Sequence, residues 1–330
     1  MKIIIKIEQW IMRVCSYIVP KKFLKKMVVD TDNNAVSRIL TTKEIRCINE
    51  NMLDSVDESK AIVFEESCND FSVFNMCYLA DLLGKSLFAV AVGGVPEFKL
   101  LDREGEDYYK TFFDEPSYLQ NTTQECYLRL PNCLKNTPYP HWFMSAKERE
   151  TYHLLWKKFF HIKNDIMNKF ENKYFQIRSC VPNGGKLIGC VARGTDYILK
   201  KPSGHPVQPK TDELIAIIKK NIGEKDIVFL ATEEKSILDI FYKHIGKGRV
   251  ITTEQAYFDG LYNCDNINIA EYTFDRENDK YMRGYEYFCR VYILSKCDGL
   301  ISPMSGATRM ALIMKEEKYL PEIVLNYGLY

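Results

Sequence analysis

Arg193-Gly194-Thr195-Asp196 follows an apolar run at residues 187–191, and these residue types at a strand end suit anion chemistry. An arginine leaving a buried strand can fork two hydrogen bonds onto a phosphate. Gly194 lets the backbone turn closely, Thr195 adds a hydroxyl donor, and Asp196 can anchor the arginine or act on a ligand. The same residues also suit an Arg193–Asp196 ion pair that only braces a turn. Thr232-Glu233-Glu234, after the apolar run 227–231, puts acids where a helix is expected to begin near Lys235. Capping that helix is the simpler use for them. Ser302-Pro303-Met304-Ser305-Gly306-Ala307 follows the apolar pair Leu300-Ile301. A Ser-Gly-small run opening a helix aims backbone N–H groups at an anion, and Ser305 can cap the same helix.

An arginine and such loops at neighbouring strand ends are what a leaving nucleoside diphosphate needs. Fixed donors there stabilise its growing negative charge without a metal. Neither a Walker-type phosphate loop nor a G-x-G-x-x-G fingerprint occurs. Asp30-Thr31-Asp32 has the composition of a divalent-cation site, but it precedes every recognisable nucleotide-binding unit. The eleven cysteines include no C-x-x-C pair and no histidine spacing suited to zinc. No metal is expected.

The elements that would position these loops come from short apolar runs at 61–64, 87–92, 187–191, 227–231, 250–251, 300–301 and 323–325, which read as buried strands. Helical periodicity lies between many of them. Phe71, Phe74, Tyr78, Leu79, Leu82 and Leu83 mark one helix, expected to end at Gly84. Leu214, Ile215, Ile217 and Ile218 mark a second, and Ile237, Leu238, Ile240 and Phe241 a third. Alternating strands and helices predict parallel sheets covered on both faces, with ligands at the carboxyl ends of the strands. A charged amphipathic segment at 148–175 runs into Val181-Pro182-Asn183-Gly184-Gly185, which reads as an interdomain linker.

A chain of 330 residues is long enough for two domains. Its 46% hydrophobic content excludes a largely disordered chain, and its net charge of +1 gives no global field for nucleic acid. Residues 1–27 hold seven basic side chains against Glu8, with Ile7, Trp10, Ile11, Val14 and Ile18 at helical spacing. Charge interrupts this segment too often for it to span a bilayer. It reads as a basic amphipathic helix over 1–30, lying on an anionic membrane surface or docked on its own domain. The scattered cysteines and the lack of a secretory pattern lead us to expect a reduced, cytoplasmic protein, peripheral at the inner membrane face if that helix binds lipid.

Residues 186–315 resemble the fucosyltransferase superfamily that includes the α-1,6- and α-1,2-fucosyltransferases and the protein O-fucosyltransferases. The likeness is nearest to bacterial members of polysaccharide synthesis. The family's first motif, an apolar strand ending in His-x-Arg-Arg/Gly-Thr-Asp, is matched by Val191-Ala192-Arg193-Gly194-Thr195-Asp196. His205-Pro206 keeps the spacing of the His-Pro pair that follows it in the α-1,6 enzymes. Ala231-Thr232-Glu233-Glu234 matches the second motif, a strand with Ala-Thr-Asp-Asp. Leu294-Ser295-Lys296-Cys297-Asp298 and Ser305-Gly306-Ala307-Thr308-Arg309 match the third. Residues 67–92 resemble the family's first helix and strand, without its usual glycines before Phe71.

The resemblance implies an α/β, GT-B-like fold of two facing Rossmann-like domains with parallel sheets. Residues 31–180 would form the acceptor-side domain and 181–330 the nucleotide-sugar-binding domain. The implied donor is GDP-fucose, with Arg193 on its β-phosphate and Ser305, Gly306 and Ala307 at the diphosphate and fucose. Thr232, Glu233 and Asp298 would lie near the nucleoside, and Gly194, Thr195 and His205 complete the implied donor site. Inverting transfer without metal or cofactor is implied, to a glycan or lipid-linked saccharide. The sequence departs from the family at three positions. Val191 replaces the histidine two residues before the arginine, Arg290 an aspartate often used near guanine, and Lys201 the proposed catalytic glutamate of the α-1,6 enzymes. Asp196 and Asp70 are then the acids to test as a base. Those losses also leave open a catalytically silent sugar-nucleotide binder or scaffold. The Lys200-Lys201-Pro202-Ser203-Gly204 segment reads as a solvated loop or a lid over the donor.

Overall fold

Apolar runs too short to bury themselves alone pair into two parallel sheets in the computed structural model. It describes residues 30–31, 35–36, 50–58, 60–67, 76–91, 93–101, 107–115, 124–127, 141–258 and 272–330. The chain divides into two compact units, Met1–Cys68 with Ala80–Ile162 and Asn69–Leu79 with Lys163–Tyr330. The basic segment 1–27 and Asp70 lie outside the described residues. No helix among the described residues is long and apolar enough to cross a membrane.

After a two-residue antiparallel pair, Asp30–Thr31 with Ala35–Val36, the described elements of the first part of the chain are α1 (Glu50–Asp54), β1 (Lys60–Ser67), α2 (Met76–Ala91), β2 (Val95–Leu101), α3 (Tyr108–Phe112), β3 (Gln124–Tyr127) and α4 (Ala146–Phe159). Strand β1 is central, paired in parallel with β2 on one side and β3 on the other. The expected strand at 87–92 is instead the last turns of α2, which runs through Gly84. Leu79, Leu82, Leu83, Leu87, Phe88 and Val90 are all buried, so this part of the helix is apolar nearly all round. A short apolar run cannot by itself separate a buried helix from a buried strand. The true strand is β2, where Phe98 stacks into an aromatic cluster with Tyr109 and Phe160.

From Lys163 onward come α5 (Asn164–Arg178), β4 (Leu187–Ala192), α6 (Thr195–Lys200), α7 (Thr211–Asn221), β5 (Ile227–Thr232), α8 (Lys235–Ile245), β6 (Val250–Ile251), α9 (Asp279–Lys296), β7 (Gly299–Pro303), α10 (Gly306–Met314) and β8 (Glu322–Leu325). The division between the units falls before α5, earlier than the boundary expected at 181. The charged segment 148–175 is two helices, and the second packs Phe170 against Tyr285, Phe288 and Tyr292 of α9. That long-range aromatic contact carries no local signature.

The five strands run parallel in the order β8-β7-β4-β5-β6. This is the doubly wound order, which reverses between β4 and β7 and opens a ligand crevice outside their carboxyl ends. Every residue of β4 and β5 is buried, as central parallel strands require. Ile188, Cys190 and Ala192 face Leu214 and Ile218 of α7 and Leu238 and Phe241 of α8. Gly189 points the other way, where a Cβ would come within 2.9 Å of Leu294 Cδ2, so its lack of a side chain lets α9 pack against the strand. Burial pushes the Cys289 thiol up to about 12, and raises Cys190 and Cys297 as well.

Asp298 marks the amino end of this sheet. Its carboxylate accepts the Leu187 N–H at 2.7 Å and pairs with Arg178 at the end of α5. The family resemblance implies a place near the nucleoside, whereas Asp298 braces the start of β4, a strand length of roughly 17–20 Å from the carboxyl edge. Asp298→Ala is therefore expected to lower stability by about 1–2 kcal/mol, through the lost hydrogen bond and ion pair. Urea unfolding would measure this, and nucleotide affinity should not change.

Candidate functional site

Strands β4 and β5 pair residue for residue, from Leu187 opposite Ile227 to Ala192 opposite Thr232. Arg193 and Glu233 therefore leave the sheet side by side. Their side chains form an ion pair, 13% and 12% exposed respectively. The Arg193 guanidinium also lies over the Tyr197 ring, 4.5 Å from its centroid. The Tyr197 hydroxyl in turn meets His205 Nδ1 at 2.9 Å. Arg193 is thus aimed by a carboxylate and a ring, and His205 reaches the site through Tyr197.

Glu233 is a carboxylate partner of Arg193 that the sequence did not point to. Thr195 and Asp196 open α6, and their side chains lie outside the described residues. Besides letting the backbone turn, Gly194 makes room for a neighbouring side chain. A Cβ there would overlap the carboxylate of Glu234, which is completely buried. The anion seated against Gly194 is the protein's own.

Helix capping by the 232–234 acids is not observed either. Glu234 is the N-cap residue of α8 by position, yet it makes no side-chain cap. Instead Thr232 Oγ1 accepts the Glu234 N–H at 3.3 Å, and the two carboxylates diverge to Arg193 and Gly194. Glu233 answers to β4, while Glu234 lies against Gly194 and also accepts the Ser236 hydroxyl of its own helix at 3.4 Å.

The third strand end behaves as its residue types suggest. Ser305 caps α10, accepting the Thr308 N–H at 3.1 Å. Thr308 Oγ1 lies 2.9 Å from both Ser302 Oγ and Ser305 Oγ, and donates to the Pro303 carbonyl at 2.7 Å. Ser302 Oγ also accepts the Val191 N–H, tying the end of β4 to the start of α10. Gly306 and Ala307 open the helix, so their N–H groups have no acceptor within it.

These pieces converge on one recess. Val191 and Arg193 come from the end of β4, Ala231, Thr232 and Glu233 from the end of β5, and Ala307 from α10. Helix α9 adds Tyr287 and Arg290, one turn apart on the same face. Arg290 is 7% exposed, with its guanidinium 5.6 Å from the centre of the Tyr287 ring. It makes no hydrogen bond or salt bridge among the described residues. Burial lowers its pKa, and the charge of Glu233 opposes that shift most. Glu233 Oε2 is likewise buried without a hydrogen-bond partner among the described residues.

The structure therefore brings together Arg193, Gly194, Thr232, Glu233, Ser305, Gly306 and Ala307, and leaves Asp298 at the far end of the sheet. Tyr287, Arg290 and Glu234 join the site without having been sought as ligands. Only the departure of Arg290 from the family pattern pointed to that position. The 200–205 loop is tied to the chain's last residues: Gly204 N–H donates to the Tyr330 carbonyl at 3.1 Å, and Tyr330 N–H to that of His205 at 3.0 Å.

No protein-family model matches the chain, and no curated protein matches it. Among solved structures, the chain is similar to NodZ α-1,6-fucosyltransferase soaked with GDP-fucose. The two are 14% identical with a TM-score of 0.47, covering 77% of this chain and 92% of that one. The fucosyltransferase NodZ from Bradyrhizobium is 16% identical at a TM-score of 0.47, covering 78% and 92%. POFUT1 in complex with GDP-fucose is 10% identical at a TM-score of 0.38, covering 87% and 80%.

The close approach of Gly194 and Glu234 gives a direct test. Gly194→Ala should destabilise the fold by about 1–3 kcal/mol, the usual range for overpacking. Combined with Glu234→Ala it should cost less than the two single changes summed, by at least about 0.5 kcal/mol. Strict additivity in urea unfolding would show that the two groups do not collide.

Proposed function

We propose that the chain is a glycosyltransferase that uses a GDP-sugar donor, with fucose as the sugar suggested by the three sequence motifs. The observation that carries this reading is the shared recess of Arg193 and the α10 N-terminus, placed where the strand order reverses. A diphosphate leaving group there would meet fixed N–H donors and a guanidinium in a largely water-free setting, where such donors are strongest. In the proposed reaction the acceptor hydroxyl oxygen attacks the anomeric carbon from the face opposite GDP. The bond from that carbon to the β-phosphate oxygen breaks, and its electron pair leaves with GDP, so the configuration inverts. The hydroxyl proton passes to a base, for which Asp196 and Asp70 are the candidates, or to water. Acceptor chemistry as a glycan or lipid-linked saccharide, transfer without a metal, a role in polysaccharide synthesis, and contact of residues 1–27 with the cytoplasmic membrane face belong to the same proposal.

A catalytically silent donor-binding protein is the second reading, favoured by two observations. Arg193 already has a carboxylate partner, and Lys201 stands where the α-1,6 enzymes place an acid. Release of GDP from GDP-fucose separates the two readings. The transferase reading expects slow hydrolysis that falls by about 10²–10³-fold in Arg193→Ala, the usual effect of removing one transition-state donor. GDP binding with no release of sugar under any acceptor would establish the silent reading. Absence of calorimetric binding to every GDP- and UDP-sugar would overturn both.

A further inference from the structure

The recess holds two guanidinium groups and one described carboxylate, and they do not pair evenly. Glu233 is committed to Arg193. Arg290 is left more than nine-tenths buried, beside the tyrosine ring and with no ion pair among the described residues. A charged group so far from water is costly unless an anion meets it. The start of α10 faces the same space through Ala307, bringing N–H groups that lack an intrahelical acceptor. A buried guanidinium with no hydrogen bond among the described residues and a helix start whose N–H groups lack an intrahelical acceptor thus meet at one recess.

We infer that Arg290, together with the N–H groups of Gly306 and Ala307, is the principal binding site for the donor's diphosphate. Arg193 then meets the same ligand as half of an ion pair, so its contribution lies more in the reaction than in affinity. The inference rests on the reading of the recess as a nucleotide-sugar site and names the residue that supplies its charge. Glu233 Oε2 remains as an acceptor for a hydroxyl group of the same ligand. Its negative charge sets the orientation, because a phosphate oxygen avoids it and a sugar or ribose hydroxyl does not.

Calorimetry on the full chain tests this with GDP and with inorganic pyrophosphate, comparing Arg290→Met, Arg290→Lys and Arg193→Ala. Arg290→Met should weaken both ligands at least tenfold, Arg290→Lys should recover part of the loss, and Arg193→Ala should weaken them less than Arg290→Met. Thermal unfolding supplies a readout that a purely structural arginine would move the other way. Removing an unpaired buried charge should leave the Tm of the ligand-free Arg290→Met protein equal or higher. A lower Tm with unchanged affinity for both ligands would overturn the inference, as would a larger loss of affinity in Arg193→Ala. Failure of GDP-fucose turnover, with pyrophosphate or another nucleoside diphosphate still dependent on Arg290, would sink the transferase reading and leave this inference standing. Turnover of GDP-fucose with Arg290→Met binding GDP like the parent would do the reverse. A parent protein that binds neither GDP nor pyrophosphate would overturn both.

Discussion

In-register parallel pairing of β4 with β5 delivers Arg193 and Glu233 to the same edge of the sheet, and the geometry of the recess follows from it. Pairing between these strands is held by burial on both faces, since every residue of each is enclosed. A slip of one residue would turn Ile188, Cys190 and Ala192 away from α7 and α8 and force Gly189 into their place. The same slip would part the guanidinium from its carboxylate. Core packing and site geometry are therefore one constraint, enforced by apolar side chains that never touch a ligand.

Charge is distributed around the end of β4 in a way that residue types alone do not reveal. Glu234 lies against the Gly194 backbone, Glu233 pairs with Arg193, and Arg290 forms no salt bridge among the described residues. Glu233, expected to cap its own helix, is turned instead toward Arg193 of the neighbouring strand end. The loop after β4 is thus partly a self-contained electrostatic assembly, in which an internal carboxylate sits where a phosphate was anticipated. A second guanidinium, that of Arg290, sits one layer back on α9 and reaches the recess beside the first turn of α10.

The two ends of the sheet divide the labour. At the amino edge Asp298 joins the start of β4 to the end of α5, across more than a hundred residues of sequence. At the carboxyl edge Ser302, Ser305 and Thr308 form a buried hydroxyl cluster that joins β4 to α10. Both are networks of short hydrogen bonds around one strand. Only the second lies where the sheet opens toward a ligand. Asp298 thus aligns the start of β4 at the edge away from that opening.

Much of this was legible in the chain itself. Apolar runs at 187–191, 227–231 and 300–301 located the central strands, because parallel strands buried on both faces must be continuously apolar. Ser305 before Gly306 announced a capped helix for a reason that is local. The run at 87–92 misled because a helix buried all round is as apolar as a strand. The position of α5 was also hidden, since its attachment through Phe170 depends on tyrosines more than a hundred residues away. Partner choice among the charged groups belonged entirely to the tertiary structure. Arg193, Glu233, Glu234 and Arg290 are visible as charges in the sequence, but electrostatic pairing depends on separation in space, and strand register and helix packing set that separation.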